Sequence, residues 1–168
     1  RALSYAILSP NPHNRQPWEI ELLGDNKIKI YRDKTKNLPE TDPFDRQLTI
    51  GMGCFIETLS IASREFGLSN EISYFPAGED GPVAKITFSS TSEAKDPLFN
   101  CILNRRSCKE PFSSMALSGE QISVLSNFGD VFYKNEDVED LKKITWESWL
   151  IEYMTPRTLK ESIDLMRF

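Results

Sequence analysis

The stretch Ser9-Pro10-Asn11-Pro12-His13-Asn14-Arg15-Gln16-Pro17-Trp18 limits this chain more than any other. Each of its prolines fixes φ, removes a backbone donor and pushes the preceding residue out of the helical region. The result is a stiff loop. Asn11, His13, Asn14 and Gln16 then present several pre-aimed amide and imidazole groups within a short span. Such groups suit a flat ligand with a polar edge. The plainer alternative is a rigid turn between a helix and a strand, its amides bonding their own backbone.

Around this loop the pattern alternates between helix and strand. Arg1 to Leu8 reads as the last turns of a helix, with Leu3, Ala6 and Ile7 at helical spacing. Trp18, Ile20 and Leu22 alternate with Glu19 and Glu21. A Gly24-Asp25-Asn26 turn follows, and Lys27 to Tyr31 alternates again, so the two runs form a β-hairpin. Thr35 to Thr41 is a polar loop. Asp42-Pro43 reads as an N-cap with Pro at the first helical position, opening a long central helix to about Phe66, stopped at Gly67. That helix is apolar on more than one side: Leu48, Met52, Phe55, Leu59, Ala62 and Phe66 on one face, Ile50, Cys54 and Ile61 beside them. A helix of this kind is buried or shared with a partner. Gly51 and Gly53 weaken it by roughly 1 kcal/mol each relative to Ala, a cost that close backbone approach would justify.

Ile72 to Phe75 and Val83 to Phe88, joined by a Gly/Pro turn, form a second hairpin. Asp96-Pro97 repeats the helix-start signal and opens a helix through Leu103. Ser118 and Gln121 form a capping box for a helix to about Phe128. Val131 to Tyr133 reads as a short strand, Glu136 to Met154 as an amphipathic helix, and Thr155-Pro156 as the start of a last helix that runs to the end of the chain. The expected class is α+β, an antiparallel or mixed sheet flanked by helices.

Composition excludes several functions. A net charge of −5 argues against a nucleic-acid binder. No apolar run is long enough for a membrane span. Cys54, Cys101 and Cys108 are odd in number and lack C-x-x-C spacing, and His13 is the lone histidine, so neither a disulfide framework nor a metal site is expected. Asp33, Asp42, Asp45 and Arg46 read as caps and surface charges, and no acid–base pair or nucleophile suggests catalysis by the protein itself.

The second chemically loaded stretch is Arg105-Arg106-Ser107-Cys108-Lys109. Forked arginine donors, a hydroxyl and a lysine suit a phosphate monoester. They equally suit the C-terminal end of a helix dipole.

Together the two stretches resemble the FMN-dependent nitroreductase family. The first is similar to the Ser-Pro-x-x-x-Asn-x-Gln-Pro-Trp loop of that family, in the form found in its tandem, double-length branch. Asn11 and Pro12 depart from it, standing where many members carry small hydroxyl residues. Arg105, Ser107 and Lys109 fall on the family's R-x-S-x-[RK] spacing. The resemblance implies a nitroreductase-like fold, FMN as cofactor and NAD(P)H as reductant. It implies a small-molecule acceptor of nitroaromatic or quinone type. It also implies a homodimer or an intrachain pseudo-dimer, with Pro10, Asn11, Asn14 and Gln16 at the flavin ring and Arg105, Ser107 and Lys109 at its phosphate.

The motifs stand in the reverse of the order in a single-unit member, which the tandem branch explains. Residues 1–95 would close a first unit and 96–168 open a second, the whole forming one compact domain. Starting at Arg1 and ending inside a helical pattern, the chain is expected to be a fragment, so a missing targeting segment says little; the cytoplasm is the favoured compartment. Such a fragment would self-associate or need its missing half. Two other functions share the fold: a flavin-sequestering protein without turnover, and a scaffold that binds no flavin.

Overall fold

The computed structural model describes residues 1–166. They divide into two compact units, Arg1–Ser107 with Leu165 and Met166, and Cys108–Asp164. The class is α+β.

In the first unit, helix α1 (Ala2–Ala6) leads into the proline-rich loop, which contains one 3-10 turn at Pro12–Asn14. Strands β1 (Trp18–Leu22) and β2 (Lys27–Arg32) form the expected hairpin, with Ile20 opposite Ile30. Strands β3 (Leu68–Tyr74) and β4 (Ala84–Ser90) form the second hairpin. Pairing of β2 with β4 joins them into a sheet of order β1-β2-β4-β3, antiparallel throughout. The period-two pattern puts Ile28, Ile30, Ala84 and Ile86 on one face, where all are buried. Helix α2 (Arg46–Glu65) covers that face with Met52, Phe55, Ile56 and Leu59, and Ala6 of α1 closes the cluster.

Helix α2 differs from expectation at its start and on its flank. It begins at Arg46, not Pro43, because Asp45 sits in the left-handed region at φ 55°. There its carboxylate accepts from Arg32 Nη2 at 2.6 Å. Asp42 still serves the helix from outside it, its Oδ2 accepting the backbone N–H of Leu48 at 2.9 Å. At the other end Gly67 takes φ 70°, as its position past the helix requires. The expected apolar flank is only partly buried: Leu48, Met52, Phe55, Leu59 and Ala62 are inside, whereas Ile50 is 58% exposed.

The helix expected after Asp96 is a 3-10 segment, Pro97–Cys101, although Asp96 caps it by accepting from Leu98 N. Leu98 and Leu103 are exposed, so no buried stripe supports a longer helix. Half-buried Phe99 instead packs against Tyr5, ring centroids 4.9 Å apart and tilted by 54°.

The second unit contains α3 (Gly119–Leu125), α4 (Asn135–Met154) and α5 (Pro156–Asp164). The Ser118/Gln121 capping box is formed in both directions. Val131 to Tyr133 is not a strand. A strand needs a partner ladder for its backbone groups, and this unit's described residues offer none. Helix α4 buries no residue, and its Trp146, Trp149 and Tyr153 form an exposed stack. Helix α5 ends at Asp164, before Met166, and the expected run to the chain end falls partly on residues 167–168, outside the described ones. Among the described residues no helix is long and apolar enough to cross a membrane.

Asp42 is 4% exposed and its carboxylate satisfies a buried N–H. Asp42→Ala is expected to lower unfolding stability by about 1–3 kcal/mol, the cost of orphaning that donor, as read by urea denaturation.

Candidate functional site

The loop between α1 and β1 is anchored at both ends. Ala6 is buried before it and Pro17 after it, and half-buried Trp18 follows, its indole stacking on Phe55 at 4.7 Å. Between these anchors His13, Asn14 and Gln16 adopt φ of 48°, 50° and 52°. Asn and His are the side chains that tolerate this region best; Gln16 has no such excuse and is held by a specific bond. Its N–H donates to Asn11 Oδ1 at 2.7 Å, while Asn11 Nδ2 donates to the Ser9 carbonyl at 3.2 Å. Asn11 thus ties the loop to itself from both sides.

A second brace comes from the turn Lys34–Lys36. Arg15 Nε donates to the Lys36 carbonyl at 3.0 Å and Arg15 Nη2 to that of Thr35 at 3.2 Å. The N–H of Asp33 donates to the Pro17 carbonyl at 2.8 Å. The turn is itself capped by Asp33, whose carboxylate accepts from the Thr35 hydroxyl at 2.6 Å and the Thr35 N–H at 2.9 Å. The hydroxyl bond first, then the amide bond, holds the Asp33 carboxyl below its ordinary value of 3.8.

The braced loop forms one wall of a cavity of about 380 Å³. Its lining is Ile7, Leu8, Ser9, Pro10, Asn11, Asn14 and Gln16 from the loop side, with Arg105 and Ser107 from the chain after β4. Arg105 Nη2 donates to the Leu8 carbonyl at 3.2 Å across 97 residues of sequence. A guanidinium has five donors, so that bond leaves most of the fork for other use. Ser9, also in the lining, is buried, and its hydroxyl has no hydrogen-bond partner among the described residues.

No family model matches the chain. Among solved structures it aligns with a nitroreductase family protein of Clostridium difficile 630 at TM-score 0.44, with 19% identity over 69% of this chain and 84% of that one. It aligns with a nitroreductase-like protein of Streptococcus mutans at TM-score 0.47, with 11% identity over 78% and 84%. In sequence it is 28% identical over 116 residues to a protein of Mycobacterium tuberculosis named "Putative NAD(P)H nitroreductase acg". The resemblance to the nitroreductase family is borne out. The match covers 67% of this chain and 35% of the mycobacterial protein, so the chain spans about a third of that relative's length.

Of the nitroreductase-type positions read from the sequence, Pro10, Asn11, Asn14, Gln16, Arg105 and Ser107 line the one cavity. Lys109 lies in the second compact unit and is exposed. Asn11 contributes as a brace as well as a wall. Arg15 and Ser9 were not singled out in the sequence. Arg15 is one cation among many, and its role depends on carbonyls some twenty residues away; Ser9 opens the motif but looks like any turn serine. The acidic residues behave as caps and ion-pair partners: Asp33 and Asp42 cap, and Asp45 pairs with Arg32.

A larger cavity of about 530 Å³ lies between β2, the start of α2 and the β3–β4 turn. Both of its cations are paired, Arg32 with Asp45 and Lys34 with Asp80 at 3.7 Å, and Glu19, Asp33 and Glu79 leave its lining acidic. It contains none of the motif residues. Among the described residues no group of three or more His, Cys, Asp or Glu is placed to hold a metal ion.

The brace at Asp33 carries a pH signature. The folded protein holds that proton less tightly than the unfolded chain does. Its contribution is therefore present above the ordinary value and is lost as pH falls through the lower folded-state pKa. Below about pH 5 the wild-type protein is expected to lose more stability than Asp33→Asn does, measured by denaturant unfolding at successive acid pH values. Glu21, also held low by its bond from the Tyr31 hydroxyl, is common to both proteins and cancels in the difference.

Proposed function

We propose that the cavity between the proline-rich loop and Arg105–Ser107 binds FMN, and that the protein is an NAD(P)H-dependent oxidoreductase of nitroreductase type acting on nitroaromatic or quinone-like acceptors. The observation that carries this reading is the convergence of two motifs, almost a hundred residues apart in the chain, on one cavity.

The donor set fits a phosphorylated, flat heterocycle. Its volume lies within the roughly 300–1,000 Å³ typical of small-molecule sites. Arg105 supplies a fork of donors and Ser107 a hydroxyl, a combination suited to a phosphate monoester. Asn14 and Gln16 bring amides to the opposite wall, where a ring edge with several donors and acceptors would be read. Ile7 and Leu8 offer apolar surface beside them. FMN, when bound, supplies the hydride chemistry; the chain supplies binding, orientation and the electrostatics near the ring. The bracing of the loop lowers the ordering cost of binding, because the backbone that carries the amides is already set. Sequence kinship with the mycobacterial protein supports the choice of NAD(P)H as reductant.

Titration of the purified protein with FMN, followed by flavin fluorescence, tests the site. Arg105→Ala is expected to weaken binding about tenfold to a hundredfold, the worth of a hydrogen bond to a charged group at ~1.5–3 kcal/mol. Unchanged affinity would remove Arg105 from the phosphate site. Steady oxidation of NADH or NADPH with a nitroaromatic acceptor is expected of the enzyme, whereas bound flavin that is never reduced marks the sequestering alternative.

A further inference from the structure

We infer that Gly51 of α2 is a positioning residue for the cavity, the seat on which the proline-rich loop is placed. A Cβ at position 51 would lie 3.1 Å from Asn11 Cβ, 3.2 Å from Pro12 Cδ and 3.4 Å from Asn11 Cα. These separations are tighter than ordinary carbon contacts, which prefer about 3.5–4.0 Å. Relief would require the loop to give, and it is poorly able to. Asn11 is held by its two hydrogen bonds, to the Gln16 N–H and the Ser9 carbonyl, and Pro12 is a closed ring. A methyl group at 51 therefore acts through Asn11. It pushes on the residue that holds Gln16 at positive φ, and so on the wall that carries Asn14 and Gln16.

The same helix contains its own control. Gly53 is exposed, and a Cβ there meets nothing within 4 Å. Both glycines are interior to α2, and both gain helix propensity on becoming Ala. Only one of them faces the loop. The difference between the two variants isolates loop seating from helix propensity.

Amide hydrogen exchange by NMR reads the loop directly. The Gln16 N–H is expected to exchange about tenfold faster in Gly51→Ala than in Gly53→Ala, as loss of one hydrogen bond allows. Equal exchange in the two variants overturns the inference. The consequence for ligand binding rests on the flavin reading: Gly51→Ala should weaken FMN by about tenfold and Gly53→Ala should leave it unchanged. If the wild-type protein takes no FMN, the flavin reading fails while the exchange comparison still decides the role of Gly51. If Gly51→Ala does not fold, adding Asn11→Gly and Pro12→Ala removes the two nearest atoms and is expected to restore folding, without the Gln16 N–H protection that Asn11 supplies. A triple variant as unfolded as Gly51→Ala, where Asn11→Gly with Pro12→Ala alone folds, overturns the inference.

Discussion

The hydrogen bond from the Gln16 N–H to Asn11 Oδ1 is the interaction on which the site depends. The loop crosses from α1 to β1 with His13, Asn14 and Gln16 in left-handed conformations. Each such residue costs on the order of 1 kcal/mol and persists only where its surroundings over-determine it. Here three features do so: Asn11 from within the loop, Arg15 through the 34–36 turn, and the bare backbone of Gly51 beneath Asn11. The core supplies the ground for all three. Trp18 on Phe55 fixes where the loop ends, and α2 on the sheet fixes where Gly51 lies.

The cationic wall depends on the same frame. The segment after β4 has little core of its own, with Leu98 and Leu103 exposed. It is held to α1 by Phe99 on Tyr5, and Arg105 then reaches the Leu8 carbonyl at the root of the loop. An exposed guanidinium pinned by one neutral acceptor contributes little to stability. Its value lies in geometry: the contact keeps the fork beside the loop.

Much of this was legible in the sequence, for identifiable reasons. The alternations at Trp18–Leu22, Lys27–Tyr31 and Val83–Phe88 report strands because one face of the sheet is buried under α2. The six motif positions that share a cavity were readable because prolines, amides and paired cations are unusual in so few residues. What misled were local signals overruled by distant partners. Asp42-Pro43 looks like a helix start, but the Asp45–Arg32 ion pair holds the backbone at 45 outside the helix, and Asp42 caps from farther away. Val131 to Tyr133 has strand composition without a strand to join. Gly51 and Gly53 look alike on paper. Only tertiary structure shows that one lies under the loop and the other faces open space.

That last contrast bears on how a cavity of this kind is made. A flexible loop carrying the same amides would have to be ordered by its ligand, and each side chain so fixed costs about 0.5–1.5 kcal/mol of the binding energy. In this chain the ordering has been moved into folding. The strain at 13, 14 and 16 is offset by burial of Pro17, by packing of Trp18 on Phe55 and by the Arg15 brace before any ligand arrives. The glycine in α2 costs helix propensity of roughly 1 kcal/mol, again borne by the fold. Local stability is thereby exchanged for a preset wall. The exchange is worthwhile only if the groups on that wall, Asn14 and Gln16, must meet something in a fixed orientation, as the edge of a flat, hydrogen-bonding ring would demand.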